Sequence, residues 1–418
     1  MAGVSCTRDP SGNSHYRKSV MSIKGVAVTT KNFYKGTCVY SPAARGGAGV
    51  HDTTGTPAHI LPSAMGGRKA PTATVCGACN GLTNARIEKV VINQFAFANC
   101  LLAIKPDRGE APSLRVEAMD GTAYILAPGG FLESSQRAQW DVVTGDSTPH
   151  YQLTGKDERQ MRGVMDGLKS KLGDLQIAGV KREYADEPVT IARGMVFGEE
   201  FRRFAVKVAF EYLALRTEDR NLILDSSFDA ARAYILDGVT DGACAVAFDD
   251  QCPSPSVQLG PVDHVISVVA NAETRMAYAF LTLYGRLSFV VLLTRSWKGP
   301  TIACEYVVNP LTGKDDEPEA RPMTTSIGDQ VYARLEADQT TTTKEQAMAA
   351  IQEALMHIMG VSHERRPRLY PTYAAQKAAE VVVATAPASA DERRLFYQSF
   401  AEMFVRQAVE LGLFPQDD

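Results

Sequence analysis

The chain has 418 residues, of which 45% are hydrophobic and 22% charged, a length and balance that predict two or three domains and exclude wholesale disorder, collagen-like repeats and a disulfide-dense miniprotein. The net charge of −4 is unevenly placed: residues 1–100 hold eleven Lys/Arg against three Asp/Glu, a net of +8, and the other 33 basic and 45 acidic residues leave −12. A basic first quarter on an acidic body points to a polyanion partner for that quarter alone.

Residues 1–20 are polar and read as loose. Val26–Tyr40 alternates like a strand, and Pro42–Gly55 is a Gly-, Ala- and Pro-rich loop. A short strand at His59–Leu61 ends at Pro62, Gly66-Gly67 makes a turn, and a helix follows Cys79-Asn80-Gly81. Its apolar face is Ile87, Val90, Val91, Phe95 and Phe97, and Thr83 or Asn80 is the expected N-cap. Residues 112–155 predict short strands and turns. Helices are predicted at about 156–173, at 198–215, and over Phe228–Leu236 with a stop at Gly238. The period then changes to that of strands at Val265–Ala270, Ala277–Leu283 and Leu287–Thr294. Tyr284-Gly285-Arg286 makes the last two a β-hairpin, within 276–294, and Ile302–Val308 adds a further strand. Residues 310–325 read as a linker, with helices at Lys344–Met359 and Ala390–Leu411 beyond it.

No segment reaches the roughly 18–20 apolar residues of a membrane helix, and the first residues lack the apolar core of a secretory signal. The expectation is a cytoplasmic chain without membrane insertion. In a reducing compartment the one tight cysteine spacing, Cys76-Gly77-Ala78-Cys79, reads as a metal knuckle or redox pair. Cys6, Cys100, Cys244, Cys252 and Cys304 have no ligand spacing and read as plain thiols.

The informative segment is Thr56–Glu88. It carries in order a His on a short strand, a Gly-Gly turn, a CxxC knuckle, an Asn after the second Cys, and a helix. Each feature alone is weak; the ordered set is specific. His59-Ile60-Leu61-Pro62, Met65-Gly66-Gly67 and Cys76-Gly77-Ala78-Cys79-Asn80 resemble the HNH, or ββα-metal, endonucleases. The subgroup reads acid-His-Ile-(Ile/Leu)-Pro, then Gly-Gly, then Cys-x-x-Cys-Asn. The match covers roughly residues 35–100. Residues 201–209 and the hairpin at Leu283-Tyr284-Gly285 more loosely resemble downstream segments of stand-alone members.

The resemblance implies a metal-dependent endonuclease hydrolysing DNA phosphodiester bonds by cutting or nicking. His59 would be the general base, since an imidazole titrates near neutral pH. Asn80 would be the second ligand of a catalytic Mg²⁺ or Mn²⁺, with Asn84 a weaker candidate whose ordinary role is capping. The helix N-terminus near Asn80 would face the anion. Stand-alone nucleases of this kind often serve anti-phage or mobile-element systems, which adds a protein partner or activating signal acting through the C-terminal region.

Two departures stand out. The residue before the His is normally Asp, Glu or His, the first metal ligand, but here it is Ala58, which cannot ligate. Either catalysis is lost naturally or a native glutamate has been replaced; the second is the expectation, because the rest of the motif is intact. Members also often carry two CxxC knuckles on a structural zinc, and here Ser41 stands where the second Cys of Cys38-Val39-Tyr40-Ser41 would be. Cys38, Cys76 and Cys79 leave a tetrahedral Zn²⁺ one ligand short. His51 is a candidate fourth; a degenerate knuckle held by hydrogen bonds is the alternative.

Arg17, Lys18, Lys31, Lys35, Arg68, Lys69, Arg86 and Lys89 are candidate phosphate contacts, giving affinity without sequence specificity. The competing reading of each is solvated charge. His264 beside Asp263 reads as structural, and Arg365-Arg366-Pro367-Arg368 as a solvated basic loop. The absence of a phosphate-binding glycine loop argues against ATP-driven activity. The expected architecture is α+β, an N-terminal ββα-metal module followed by a larger mixed α/β region. The divisions are 1–115 for the nuclease module, 116–325 for a mixed domain, and 326–418 for a helical region. The second class of function is a catalytically dead nucleic-acid-binding or scaffold module.

Overall fold

A computed structural model describes residues 36–41, 53, 55, 57–118, 121–135, 139–144, 149–154, 158–173, 198–239, 244–248, 258–318, 349–366 and 368–369. The chain divides into Met1–Tyr34 and Lys35–Asp418. All described residues belong to the second unit. Arg17, Lys18, Lys31, Lys35, His51 and the helix expected at 390–411 lie outside the described residues.

The motif segment folds as a run of short helices: α1 Gly77–Thr83, a π-turn at Asn84–Glu88, α2 Lys89–Gln94 and α3 Ala96–Leu101. A meander follows, β1 Leu114–Glu117, β2 Ala123–Ala127 and β3 Phe131–Ser134, then a hairpin, β4 Gln139–Thr144 with β5 Pro149–Thr154. Helix α4 is Glu158–Leu172, α5 is Glu199–Arg216, α6 is Arg220–Leu224 and α7 is Asp229–Asp237, closed by left-handed Gly238. The strands β6 Ala245–Phe248, β7 His264–Asn271, β8 Met276–Leu283, β9 Leu287–Thr294, β10 Ile302–Val308 and β11 Asp315–Asp316 form one antiparallel sheet. Its order is β11-β10-β7-β8-β9-β6.

The α+β class expected from the sequence is what the described residues form. The predicted hairpin pairs Leu283 with Leu287. Part of the expected linker instead adds β11 to the sheet edge. The helix expected at Lys344–Met359 is described over 349–366 and continues past Met359. It passes Gly360 because its final turn is held from outside: Ser362 Oγ donates to Leu101 O at 2.8 Å and Arg365 to Leu102 O at 2.5 Å. Arg366 donates to the carbonyls of Gly129 and Gly130. Arg365 and Arg366 are helical and donate to chain carbonyls, although Arg366 is also exposed, which corrects the reading of these two residues as a loop. No helix among the described residues is long and apolar enough to cross a membrane.

Helix α5 is enclosed within the core of the described residues. The sequence spacing predicts one apolar stripe, but from Phe204 to Ala214 every residue is buried, because α5 is enclosed on both sides. Phe201 packs on Phe289 of β9 at 4.6 Å between ring centroids and on Phe95 of the motif helices at 6.2 Å. The three aromatics join motif, helix and sheet in successive layers. Each such ring removed from water contributes roughly 1.5–3 kcal/mol.

Candidate active site and metal centre

His59 lies on an extended segment that pairs back on itself: Ala58 N–H donates to Pro71 O at 3.2 Å and Ile60 N–H to Lys69 O at 3.0 Å. The reversal is a 3₁₀ turn, Ser63–Met65, followed by the two glycines. Gly66 has φ +91°, and a Cβ there would lie 2.3 Å from the Pro310 side chain. A Cβ on Gly67 would stand 1.8 Å from Leu61 O. The Gly-Gly pair is thus required by close backbone approach. His264, at the start of β7, fixes the turn from below: its Nε2 donates to Met65 O at 2.8 Å and its Nδ1 accepts Tyr284 N–H at 3.1 Å. Burial pulls this imidazole down to about 4, so it is neutral and structural.

The helix begins earlier than the sequence suggests. Its first residue is Gly77 and its cap is Cys76, whose Sγ accepts Cys79 N–H at 3.4 Å. Thr83 caps nothing; its hydroxyl donates to Asn80 O. Cys76 N–H in turn donates to Cys38 Sγ at 3.3 Å. Two amides at the helix start, those of Cys76 and Cys79, are directed at sulfur. Asn80 is half-buried, one turn inside.

The sulfurs of Cys38, Cys76 and Cys79 all lie within 4.8 Å of one another and are buried. Tetrahedral zinc at about 2.3 Å from each sulfur would put the sulfurs about 3.8 Å apart. A hydrogen bond from Cys79 lowers the Cys38 thiol to about 6, against the opposing cost of burial and with help from the Cys76 and Tyr40 amides. The same bond raises Cys79. The donors around Cys38 thus favour its thiolate form, the form a soft metal takes. Ser41 N–H closes the first arm on Cys38 O at 2.9 Å. Cys100, Cys244 and Cys304 are buried thiols elsewhere in the core.

Distant residues hold both arms of this cluster. Arg220 donates to Thr37 O, Ala73 O and Thr74 O, at 3.3, 3.0 and 3.0 Å. Buried Arg232 donates to Val39 O at 2.8 Å. Beneath His59 lies a buried ionic group. Lys207 of α5 sits 2.6 Å from Glu88 Oε1 and 3.0 Å from Glu211 Oε2, and its ammonium donates to His59 O at 2.7 Å and Ile60 O at 3.2 Å. Tyr40 donates its hydroxyl to Glu211 at 2.9 Å. Ile87 and Glu88, adjacent in the π-turn, are both buried. Burial would pull the lysine down, but the two carboxylates outweigh it and raise it. Burial pushes Glu211 up to about 7, with Lys207 opposing and Glu88 adding to the rise.

His59 is half-buried, and its Nε2 lies 2.7 Å from Asp107 Oδ2. Asp107 Oδ1 accepts from Arg68 at 2.5 Å, and Arg68 also donates to Lys105 O at 2.9 Å. Slight burial opposes ionisation of Asp107, but His59 and Arg68 hold its carboxyl below the usual range. Lys69 pairs with Glu317 at 2.8 Å, Arg86 donates to Leu236 O at 3.2 Å, and Lys89 is exposed. Three of the expected phosphate contacts are therefore engaged by the chain itself. Ala58 is 2% exposed, its methyl part of the apolar core.

Asp107, Lys207, Glu211, Arg220 and Arg232 were not among the residues singled out from the sequence. The signal for two of them was present: Lys207 and Glu211, four apart, interrupt the apolar run of α5. Asp107 gave none. None of the family models, curated proteins or solved structures compared with the chain matches it.

Proposed function

We propose that the chain is an HNH-type endonuclease of DNA, present here without its first catalytic metal ligand. The observation that carries this reading is the ordered geometry around His59. A self-paired segment turns at Gly66-Gly67 and leads into a helix rooted in three clustered cysteines. In the reaction His59 takes a proton from a water; the water oxygen bonds to phosphorus as the bond to the 3′ oxygen breaks, and that oxygen takes a proton from solvent.

The catalytic cation does not fit the residues as they stand. Ala58 offers a buried methyl where a carboxylate is needed, and the one group of three clustered His, Cys, Asp or Glu ligands among the described residues is the cysteine set. The cysteine set fits zinc, which would supply a structural cross-link between the two knuckle arms. Thr53, two residues after His51, donates through its amide and hydroxyl to the carbonyl of Gly36, two residues before Cys38.

Glu317, which engages Lys69, comes from the acidic remainder of the chain. This supports an effector restrained by its own acidic body until a partner or signal acts through the C-terminal region. The second reading, a non-catalytic nucleic-acid-binding or scaffold module, is favoured by the apolar surroundings of Ala58. Ala58→Glu with supercoiled plasmid and Mn²⁺ separates the two. Nicking that also needs His59 supports the enzyme; salt-sensitive binding without cleavage supports the module.

A further inference from the structure

Asp107 reaches the site from outside the motif, 48 residues from His59 along the chain. It meets the imidazole through one oxygen and the Arg68 guanidinium through the other. An ionised carboxylate only accepts hydrogen bonds, and a guanidinium only donates them. A neutral His59 facing Asp107 Oδ2 must therefore place its proton on Nε2, which leaves the lone pair on Nδ1. Arg68 is itself tied to Lys105 O, so the carboxylate is held from behind.

We propose that Asp107, clamped by Arg68, is the positioning residue that sets the tautomer and orientation of His59, with the proton on Nε2 and the accepting nitrogen at Nδ1. This rests on the reading of His59 as a base. It adds which nitrogen does the work, and that the orienting group lies outside the HNH-like segment. When Nδ1 takes a proton, the charge that forms on the ring faces the Asp107 carboxylate.

The clamp makes an unusual prediction for Asp107→Asn. The Arg68 guanidinium can bond only to the amide oxygen of the new side chain, so the amide NH₂ must turn toward His59. Nε2 then has to accept, and the ring proton moves to Nδ1, the wrong tautomer for a base at Nδ1. Removing the guanidinium as well, in Arg68→Ala/Asp107→Asn, frees the amide to rotate. Its oxygen can then face His59, and the proton returns to Nε2.

The test is NMR of the full chain with ¹⁵N-labelled histidine rings, at an alkaline pH where the ring ¹⁵N shifts themselves report the neutral form. His59 is assigned by the loss of its signals in His59→Gln. The buried ring of His264, held by Met65 O and the Tyr284 amide, reports that the fold is intact. The expected result is Nε2–H in the parent, Nδ1–H in Asp107→Asn, and Nε2–H again in the double variant. If Asp107→Asn leaves the proton on Nε2, or the double variant fails to revert, the proposal is overturned. In an Ala58→Glu background, Asp107→Asn should also lower kcat about 10²-fold with KM little changed. If the tautomer moves as stated but Ala58→Glu cleaves nothing, tautomer control stands and the nuclease reading falls. If cleavage occurs and the tautomer does not move, the reverse holds.

Discussion

Removing the buried ammonium of Lys207 is the most severe single perturbation the structure predicts. In Lys207→Met the side chain keeps its length and apolar stem, so the change isolates the charge. Glu88 and Glu211 are left facing each other, both buried, without the cation now 2.6 and 3.0 Å away. The carbonyls of His59 and Ile60 lose their donor at the same time. Breaking one side of a buried ion pair costs about 3–5 kcal/mol, and an orphaned buried acceptor adds about 1–3 kcal/mol. One carboxylate offsets part of this by taking a proton, so the expected loss is about 4 kcal/mol. Urea unfolding followed by tryptophan fluorescence and by circular dichroism measures it. Lys207→Met/Glu211→Gln should recover part of the loss, because one of the two stranded charges is gone. A single variant within about 1 kcal/mol of the parent would refute the reasoning.

Glu211 and His264 give opposite pH signatures. The folded state raises Glu211 from its ordinary 4.5 to about 7, so its stabilising protonation is fully present below about 4.5 and is lost as the pH rises through about 7. Glu211→Gln should flatten that fall in stability between those values. His264 is lowered from 6.5 to about 4, so its contribution is present above about 6.5 and lost as the pH falls through 4. His264→Gln should remove that acid-side loss in pH-dependent urea titrations. Elemental analysis should find about one zinc per chain, falling to near zero in Cys38→Ser and in Cys79→Ser, and reduced in His51→Ala. Chelation should lower the thermal midpoint of the parent and not that of Cys38→Ser.

What was legible in the sequence was periodic or local. The β7, β8, β9 and β10 strands show as β-branched and aromatic runs, and α7 ends at Gly238 because a left-handed cap there suits glycine. The Gly-Gly turn and cysteine knuckle were legible because their spacing is their chemistry. What the sequence hid depends on long-range closure. The stripe on α5 suggests one buried face, but the layer beyond it buries the other, and only then does Lys207 become a counter-charge beneath His59. The helix start was misplaced because a cysteine sulfur, not Asn80 or Thr83, caps it. Asp107 is a loop residue with no periodicity and no motif, so only three-dimensional proximity finds it. Arg365 and Arg366 read as solvated because nothing local marks the carbonyls they satisfy.

The most direct test of the central claim is a cleavage rate under single-turnover conditions. Supercoiled plasmid is incubated with the parent chain, Ala58→Glu and Ala58→Glu/His59→Ala, each with Mn²⁺ or Mg²⁺ and with EDTA as control. The account predicts no cleavage by the parent and metal-dependent nicking by Ala58→Glu. It also predicts a loss of at least about 10²-fold when His59 is removed from that variant. Nicking by Ala58→Glu that is unchanged without His59, or no nicking by a folded Ala58→Glu that binds the plasmid, would contradict it.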